Sequence, residues 1–514
     1  MRRSLALVWR TLRSMRTALV LLLLLALASI AGSLVPQAAN SPEAVAAMAR
    51  EDPVRAEVYA RLGLFDVYGS WWFTLIYTLL LISLAACLLP RTRALARNLR
   101  TRPQSAREVD GFRHHAEVRV AASPADAVAA ARRVLRRRRF RLSAPDGGLG
   151  LAADKGLARE AGSLLFHWSF FLLLLGVAWG KGTGFTGFAV IVEGDTWTEA
   201  HANYDGNIRE GAFFGEDHTG IGIRVRDFED RYLPDGQPLD FVTRADLLAP
   251  DGGLLERVDI RVNHPAAVGG LAIHQYGYGW APVLEVRRDG ELLAQAPIPF
   301  QQDRPPEGVS PLAMPWRGAL KLPSLSPQVG VELDLWPDAR GLVGVLAGRP
   351  VVMTEARDPV LLFTTYRGDL HADRVQRSAE LDTRDMRQVS RGVLGLGRTV
   401  DLETGEEAEP DAPGLTMTFA GLRRYTVLQV SRDRGLGLVL SAAILMLVGL
   451  LPALFSSRRR VFLRADPAPD GAVLRVGGFA LQHADRFEEE FGRLVQELSR
   501  AAGPARDPAG VGAG

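Results

Sequence analysis

The chain has 514 residues, 47% of them hydrophobic and 23% charged, with a formal net charge of +3, which leaves room for more than one domain. That ordinary average hides a segregation, because apolar residues gather in four blocks and arginines in the segments beside them. The single cysteine, Cys87, excludes an internal disulfide and a CxxC redox pair, so the chain is neither a thiol oxidoreductase nor itself a c-type cytochrome.

In chain order, residues 1–16 form a basic N-terminus, "MRRSLALVWRTLRSMR". The first apolar block follows, Thr17–Val35. A cleaved signal peptide is its rival reading, but three more blocks follow and no clean small-x-small cleavage site appears. Residues 36–69 connect it to the second block, Ser70–Leu89, entered through "SWWF", which reads as an interfacial aromatic belt. Residues 90–160 come next, then a third block at 161–180. A long segment, 181–435, leads to the fourth block, Leu436–Phe455, and residues 456–514 close the chain. Each block is close to the ~20 residues a helix needs to cross the hydrocarbon core. The expected fold is therefore a four-span α-helical membrane protein.

Orientation follows from arginine. Residues 91–160 hold 17 Lys plus Arg against 7 acids, and "SSRRRVFLR" follows the fourth block. By the positive-inside rule both termini and 90–160 face the cytoplasm, leaving 36–69 and 181–435 outside. The arginine runs flank spans, so topology and contact with anionic lipid account for them better than nucleic acid does.

The 181–435 segment reads as β-structure. "FTGFAVIVEGD", "GIGIRVRDF", "VGVELDLW" and "PVLLFTTYRGDLHA" are short alternating or β-branched runs, separated by turn signals such as "RDGE". A sandwich or open barrel with irregular Pro/Gly-rich loops is expected there. On the other side, "HAEVRVAAS" suggests a strand, followed by a helix capped by Ser123 with Pro124 at its first position. Strands are expected at "FRLSA", "GLGLAA" and "AVLRVGGFAL", with an amphipathic helix at "DRFEEEFGRLVQELSRAA". Each piece alone is too small for a core, so one small α+β cytoplasmic domain is expected from all of them.

No GxSxG, HExxH, P-loop or strand–helix GxGxxG is present, which leaves histidines as the groups of interest. His167 stands in "EAGSLLFHWSFFLLLLGVAWGKG", one to two turns inside the third block. Intramembrane ionisable groups demand a reason. Imidazole there suits a metal ion or haem iron, and equally an interface-level histidine bonded to a neighbouring helix. His264 and His274, ten residues apart around a turn with Pro265, Gly269 and Gly270, either line one site or belong to a structural turn and a packed aromatic strand; the residue types favour the second. His114, His115, His201, His218, His371 and His483 lie in polar sequence and are expected at the surface.

Five stretches in order resemble the ResB family, also called CcsB, of the System II cytochrome c biogenesis machinery. They are "LRSMRTALVLLLLLALASIAGSLVPQ", "LGLFDVYGSWWFTLIYTLLLISLAACLLPR" with Cys87 before a Pro90-Arg91 exit, and "FHWSFFLLLLGVAWG". "LPDGQPLDFVTRADLL" with "VDIRVNHPAAVGGLAIHQYGYG" is the fourth, and "YTVLQVSRDRGLGLVLSAAILMLVGLLPALF" the fifth. Departures are His274 where the family has an aromatic, Asp433-Arg434-Gly435 where it has Asp-Pro-Gly, and a poor match from Pro297 to Gly414.

The resemblance implies a role in haem export and cytochrome c synthesis in the plasma (inner) membrane, together with a CcsA/ResC-type membrane protein carrying a WWD segment. It implies that His167 is an axial ligand of haem b in transit, paired with a histidine of that partner. His264 matches a histidine of the family's outer domain and is the second cofactor-side candidate, without an assigned chemistry. Covalent attachment to the CxxCH of apocytochrome c would belong to the complex, so the chain alone is not expected to be an enzyme. The competing class is a membrane-anchored ligand sensor or assembly scaffold, which predicts no haem and indifference to His167.

Overall fold

The computed structural model describes residues 9–38, 41–103, 109–143, 149–233, 236–303, 305, 309–349, 351–371, 379–482 and 484–503. Four helices are long and apolar enough to cross a membrane: Met15–Leu34, Trp71–Arg100, Leu157–Thr183 and Leu436–Phe455. The fourth coincides with its apolar block. The second and third are longer than theirs, because backbone hydrogen bonding continues into polar sequence where hydrophobicity ends. Pro90, at the end of the second apolar block, lies inside the second helix, which runs on to Arg100. Residues 36–69 also hold two short helices, Pro42–Glu51 and Pro53–Arg61, each opened by a proline that gives up no needed donor.

The described chain clusters into two compact units, one of them Leu175–Gly437. In the other unit the helices pack in recognisable ways. Ser83 and Cys87 of the second helix donate to the Leu12 and Arg13 carbonyls at 2.6 and 3.1 Å. Leu84, Leu88 and Leu95 of the second helix pack on Leu157, Ala161, Leu164, Trp168 and Phe171 of the third. Trp168 Nε1 donates to Thr92 Oγ1 at 3.0 Å across the same contact. The third and fourth helices meet through glycines. A Cβ on Gly162 would stand 2.4 Å from the Gly449 carbonyl oxygen, and one on Gly449 would stand 2.7 Å from the Gly162 oxygen. Small residues permit this approach, the usual means of helix association where apolar burial supplies no drive.

Five antiparallel strands of this unit form one sheet in the order His114–Val120, Gly471–Ala480, Arg459–Ala468, Gly150–Lys155, Arg141–Leu142. Strands before the third span and after the fourth are thus interleaved. Helices Pro124–Arg137 and Ala484–Ala502 share its core, where Ala127, Ala131 and Leu135 meet Leu463, Leu474, Phe487 and Leu494. Ser123 caps the first helix, accepting from Asp126 N at 3.3 Å. His114 is not a free surface histidine: its ring lies 5.4 Å from Phe487 at the edge of this core. His115 is exposed, and His483 lies outside the described residues.

Among its described residues, the unit Leu175–Gly437 holds three antiparallel sheets. Two 18-residue strands, Leu271–Arg288 and Leu415–Arg432, pair along their length at the centre of the largest. One end of this pair packs on the sheet of strands Trp316–Leu322, Val329–Trp336, Val360–Gly368 and Met386–Gly395. The other packs on strands Thr196–Thr198, Gly222–Tyr232, Pro238–Leu248 and Leu254–Arg261. The result is neither a single sandwich nor an open barrel but two sandwich-like cores on one shared sheet. Phe300, Phe363 and Phe419 fill the first core and Ile191, Ile223 and Ile273 the second.

Replacing Gly449 by Leu is expected to overpack the crossing of the third and fourth helices, at a cost of about 1–3 kcal/mol. Thermal unfolding of the detergent-purified chain, followed by tryptophan fluorescence, checks this: Gly449→Leu lowers the midpoint, whereas Leu447→Ala, at a residue 65% exposed, leaves it nearly unchanged.

Candidate functional site

His167 sits on the third helix, ten residues past its start at Leu157. With about 3.6 residues per turn, that helix carries three stripes. Leu157, Ala161, Leu164, Trp168 and Phe171 face the second helix, and Gly162 with Phe166 faces Gly449 of the fourth. Ser163, His167, Phe170 and Leu174 fall on the third stripe. There Phe170 is exposed and His167 half-buried.

His167 Nδ1 lies 2.6 Å from the Ser163 carbonyl oxygen. A carbonyl only accepts, so Nδ1 carries the hydrogen and the neutral ring keeps its lone pair on Nε2. Among the described residues Nε2 has no hydrogen-bond partner. Phe166 stands edge-on to the ring, with centroids 5.3 Å apart. Fixing one nitrogen with a backbone carbonyl and freeing the other is the arrangement that orients imidazole as a ligand.

One turn towards the helix start, Ser163 also borders a cavity of about 520 Å³. Leu88, Ala94, Leu164, Ala453 and Leu481 supply apolar wall, while Arg91, Arg159, Arg458, Glu160 and Asn98 supply polar lining. Arg458 is 8% exposed. One of its nitrogens, Nη1, is paired with Glu160, while among the described residues Nε and Nη2 find no hydrogen-bond acceptor. Nη2 reaches no closer than 3.9 Å to Asp154 Oδ2. Arg159 Nε donates to the Ala453 carbonyl at 3.1 Å, and among the described residues neither Arg91 nor Arg159 has a carboxylate partner. Three guanidinium groups and one carboxylate line the cavity, with Asp154 behind Arg458 as a second, more distant carboxylate, and this excess of positive charge on an apolar wall suits an amphipathic anion.

The remaining sequence candidates fall elsewhere. His264 is exposed at a hairpin tip, its N–H and C=O bonded to Arg261 and its Nδ1 3.2 Å from the Val262 carbonyl. His274 is exposed on the strand Leu271–Arg288, opposite Gln429. Gly269 and Gly270 both take positive φ in the turn between Ala266–Val268 and that strand, where a Cβ would strain the backbone. Of the histidines expected at the surface, two in the unit Leu175–Gly437 are not. The His371 side chain is 11% exposed and 2.8 Å from Asp385.

His218 is the second, and it belongs to a cluster that sequence reading missed. Its Nδ1 lies 2.5 Å from Glu199 Oε1, and Glu199 is wholly buried. Its Nε2 lies 3.2 Å from Glu210 Oε1, to which His201 Nδ1 also reaches at 2.7 Å. Burial pushes Glu199 up, but hydrogen bonds from His218, the Thr219 backbone and hydroxyl, and Tyr204 outweigh it and hold the carboxyl below its ordinary range. Burial first, then the charge of Glu199, pushes the Tyr204 hydroxyl far above its ordinary value. The only signal in the sequence is the density of His and Glu in "EAHANYDGNIREGAFFGEDHTG"; nothing in it shows that Glu199, Glu210 and His218 converge.

Comparison with known proteins places these features. A family model described as "ResB-like family" matches residues 15–492. The chain is 26% identical over 513 residues to the "Cytochrome c biogenesis protein CcsB" of Synechococcus sp. (strain JA-3-3Ab), covering 97% of this chain and 91% of that one. It is 25% identical over 496 residues to the protein of the same name from Thermosynechococcus vestitus, covering 95% of each. The match to that of Trichormus variabilis is 29% identical but spans 56% of this chain and 61% of the relative. With four membrane-length helices, a β-rich segment between the third and fourth, and a family match that takes in all of them, the chain belongs to the ResB-like family.

Proposed function

We propose that the chain acts in cytochrome c biogenesis as the ResB/CcsB-type component, and that it receives haem at His167 during passage across the membrane. The first part rests on relatives named for that process over nearly their whole length. One observation carries the second: the bond from Nδ1 to the Ser163 carbonyl leaves the His167 Nε2 lone pair free, on a stripe that neither the second nor the fourth helix uses. Haem is cargo here rather than a resident cofactor. An imidazole gives iron an axial bond, and the flat apolar macrocycle suits a helix surface.

The cavity beside Ser163 fits the same cargo. Its apolar residues would meet the macrocycle edge, and Arg458, Arg159 and Arg91 would take the two propionate carboxylates. Each buried donor left unmade costs about 1–3 kcal/mol, more when charged, so the idle Nε and Nη2 of Arg458 favour an anionic occupant. By the positive-inside rule the basic segments, and with them this cavity, lie on the cytoplasmic side of the plasma membrane. Haem would then enter beside the arginines and meet His167 one turn deeper.

The open stripe of the third helix is the natural seat for a helix of a CcsA/ResC-type partner, which would bring the second axial histidine. Haem would pass on to the partner's WWD segment, where apocytochrome c thiols add to its vinyl groups. Thioether formation belongs to the complex, not to this chain alone.

In the complex purified in detergent, the wild type is expected to show a six-coordinate Soret band that His167→Ala loses or shifts and added imidazole restores. Equal haem content and identical spectra would remove His167 as a ligand and return the scaffold reading. Replacing Arg91 and Arg159 together by Gln is expected to lower haem retention about tenfold or more while leaving the band position intact, since charged hydrogen bonds contribute about 1.5–3 kcal/mol each. Unchanged retention would place the propionates elsewhere.

A further inference from the structure

We infer that His201, Glu210 and His218 form a binding site for a divalent transition-metal ion, zinc being the best fit, in the unit Leu175–Gly437. The three ligand atoms lie within 4.8 Å of one another. They come from three pieces of chain: the short helical turn His201–Asn203, the strand Asp205–Glu210 and the loop after it.

A hydrogen-bond inventory of His218 makes the case. Both of its ring nitrogens face carboxylate oxygens, Glu199 at 2.5 Å and Glu210 at 3.2 Å, and carboxylates only accept. Nδ1 donates to Glu199. On the neutral ring, Nε2 then turns a lone pair towards Glu210, and two acceptors face each other with nothing between. A cation has to stand there, a proton or a metal ion. At 3.2 Å this pair is at the long end of an N–H···O bond, whereas His201 Nδ1 meets the same Glu210 oxygen at 2.7 Å, a hydrogen-bond contact that opens when an ion enters between them. Two ligands each about 2.0–2.1 Å from a tetrahedral zinc stand roughly 3.3 Å apart, close to the spacing of His218 and Glu210.

The surroundings match as well. Metal-bound imidazole commonly donates its other N–H to a carboxylate, which fixes the ring and raises its basicity. Glu199 does this for His218, and is itself held by Tyr204 at 2.9 Å and by both the backbone and hydroxyl of Thr219. Phe185 and Phe214 pack on the His218 ring, each with centroids 5.3 Å away. The outer side is open, because the His201 side chain is 64% exposed, so an ion can enter and water can fill the fourth position. Two imidazoles and one carboxylate select zinc-like ions over calcium or magnesium, which take oxygen ligands. The ion would tie the turn, the strand and the loop together around Phe185, the first residue of the strand that follows the third span.

The test uses the full chain in detergent, its affinity tag removed, stripped with a chelator and titrated with zinc chloride alone. One zinc per chain is expected to survive desalting. The His201→Ala and Glu210→Gln variants alter groups at the rim and are expected to hold none, with metal-free thermal midpoints like the wild type. Glu199→Gln is expected to weaken binding about 10–100-fold. A wild type that retains no more zinc than His201→Ala, or rim variants that retain it fully, would overturn the assignment.

Discussion

His167 Nδ1 reaches back one turn to the Ser163 carbonyl at 2.6 Å, and that bond decides which side of the ring is left for chemistry. In hydrocarbon an imidazole with both nitrogens idle is expensive, and one with both satisfied is inert. The helix solves half of the problem with its own backbone and leaves Nε2 for something else. Ser163 lies beside Gly162, where the third and fourth helices come closest, and it borders the arginine-lined cavity. The crossing, the ring orientation and the cavity wall therefore rest on three consecutive concerns of one helical turn. A side chain at Gly449 would press on that turn at Gly162 and Phe166.

The unit Leu175–Gly437 depends on a different constraint, the register of two very long strands. Leu271 and Ile273 serve one core while Leu284 and Val286 serve the other, a change from odd to even positions. On the partner strand Met417 and Phe419 change to Leu428 and Val430 in the same sense. Strand side chains alternate faces, so a change of parity needs an interruption of the ladder. Register shifts occur at Gln275/Gly277 and at Val283/Leu284, one extra residue on each strand. The bulges let one sheet serve two cores.

What could be read from the sequence follows from how local each signal is. The four spans were legible because twenty apolar residues in a row are a local property, and the fourth helix has the bounds of its block, Leu436–Phe455. Where the second helix ends was less legible, because apolar sequence stops at Leu89 while the helix continues through Pro90 to Arg100. Strand content was legible from alternation, but not the partition into two cores, since no single strand records which sheet it will face. The partnership of His114–Val120 with Gly471–Ala480 joins segments separated by two spans and the whole β-rich unit. His167 stood out as a residue, yet its tautomer depends on a carbonyl that sequence cannot aim. The cluster around His218 left even less trace, because its members sit on a short helical turn, a strand and a loop, and Glu199 behind them looks in sequence like any surface acid.

The two histidine sites nevertheless share one device. In each, Nδ1 is committed to an oxygen acceptor and Nε2 is turned towards a place where a cation or a metal centre can stand. The acceptors differ in a way that fits the difference in occupant. Ser163 offers a neutral backbone carbonyl, which orients the ring but adds no charge, and so would leave the imidazole a moderate ligand, as the proposed passage of cargo requires. Glu199 is a buried, ionised carboxylate, which makes the opposite nitrogen more basic and holds whatever it binds more firmly. A carrier needs the first kind of site and a structural tie needs the second. If both proposals hold, the acceptor behind each histidine is what distinguishes a station for passing cargo from a clasp that stays closed.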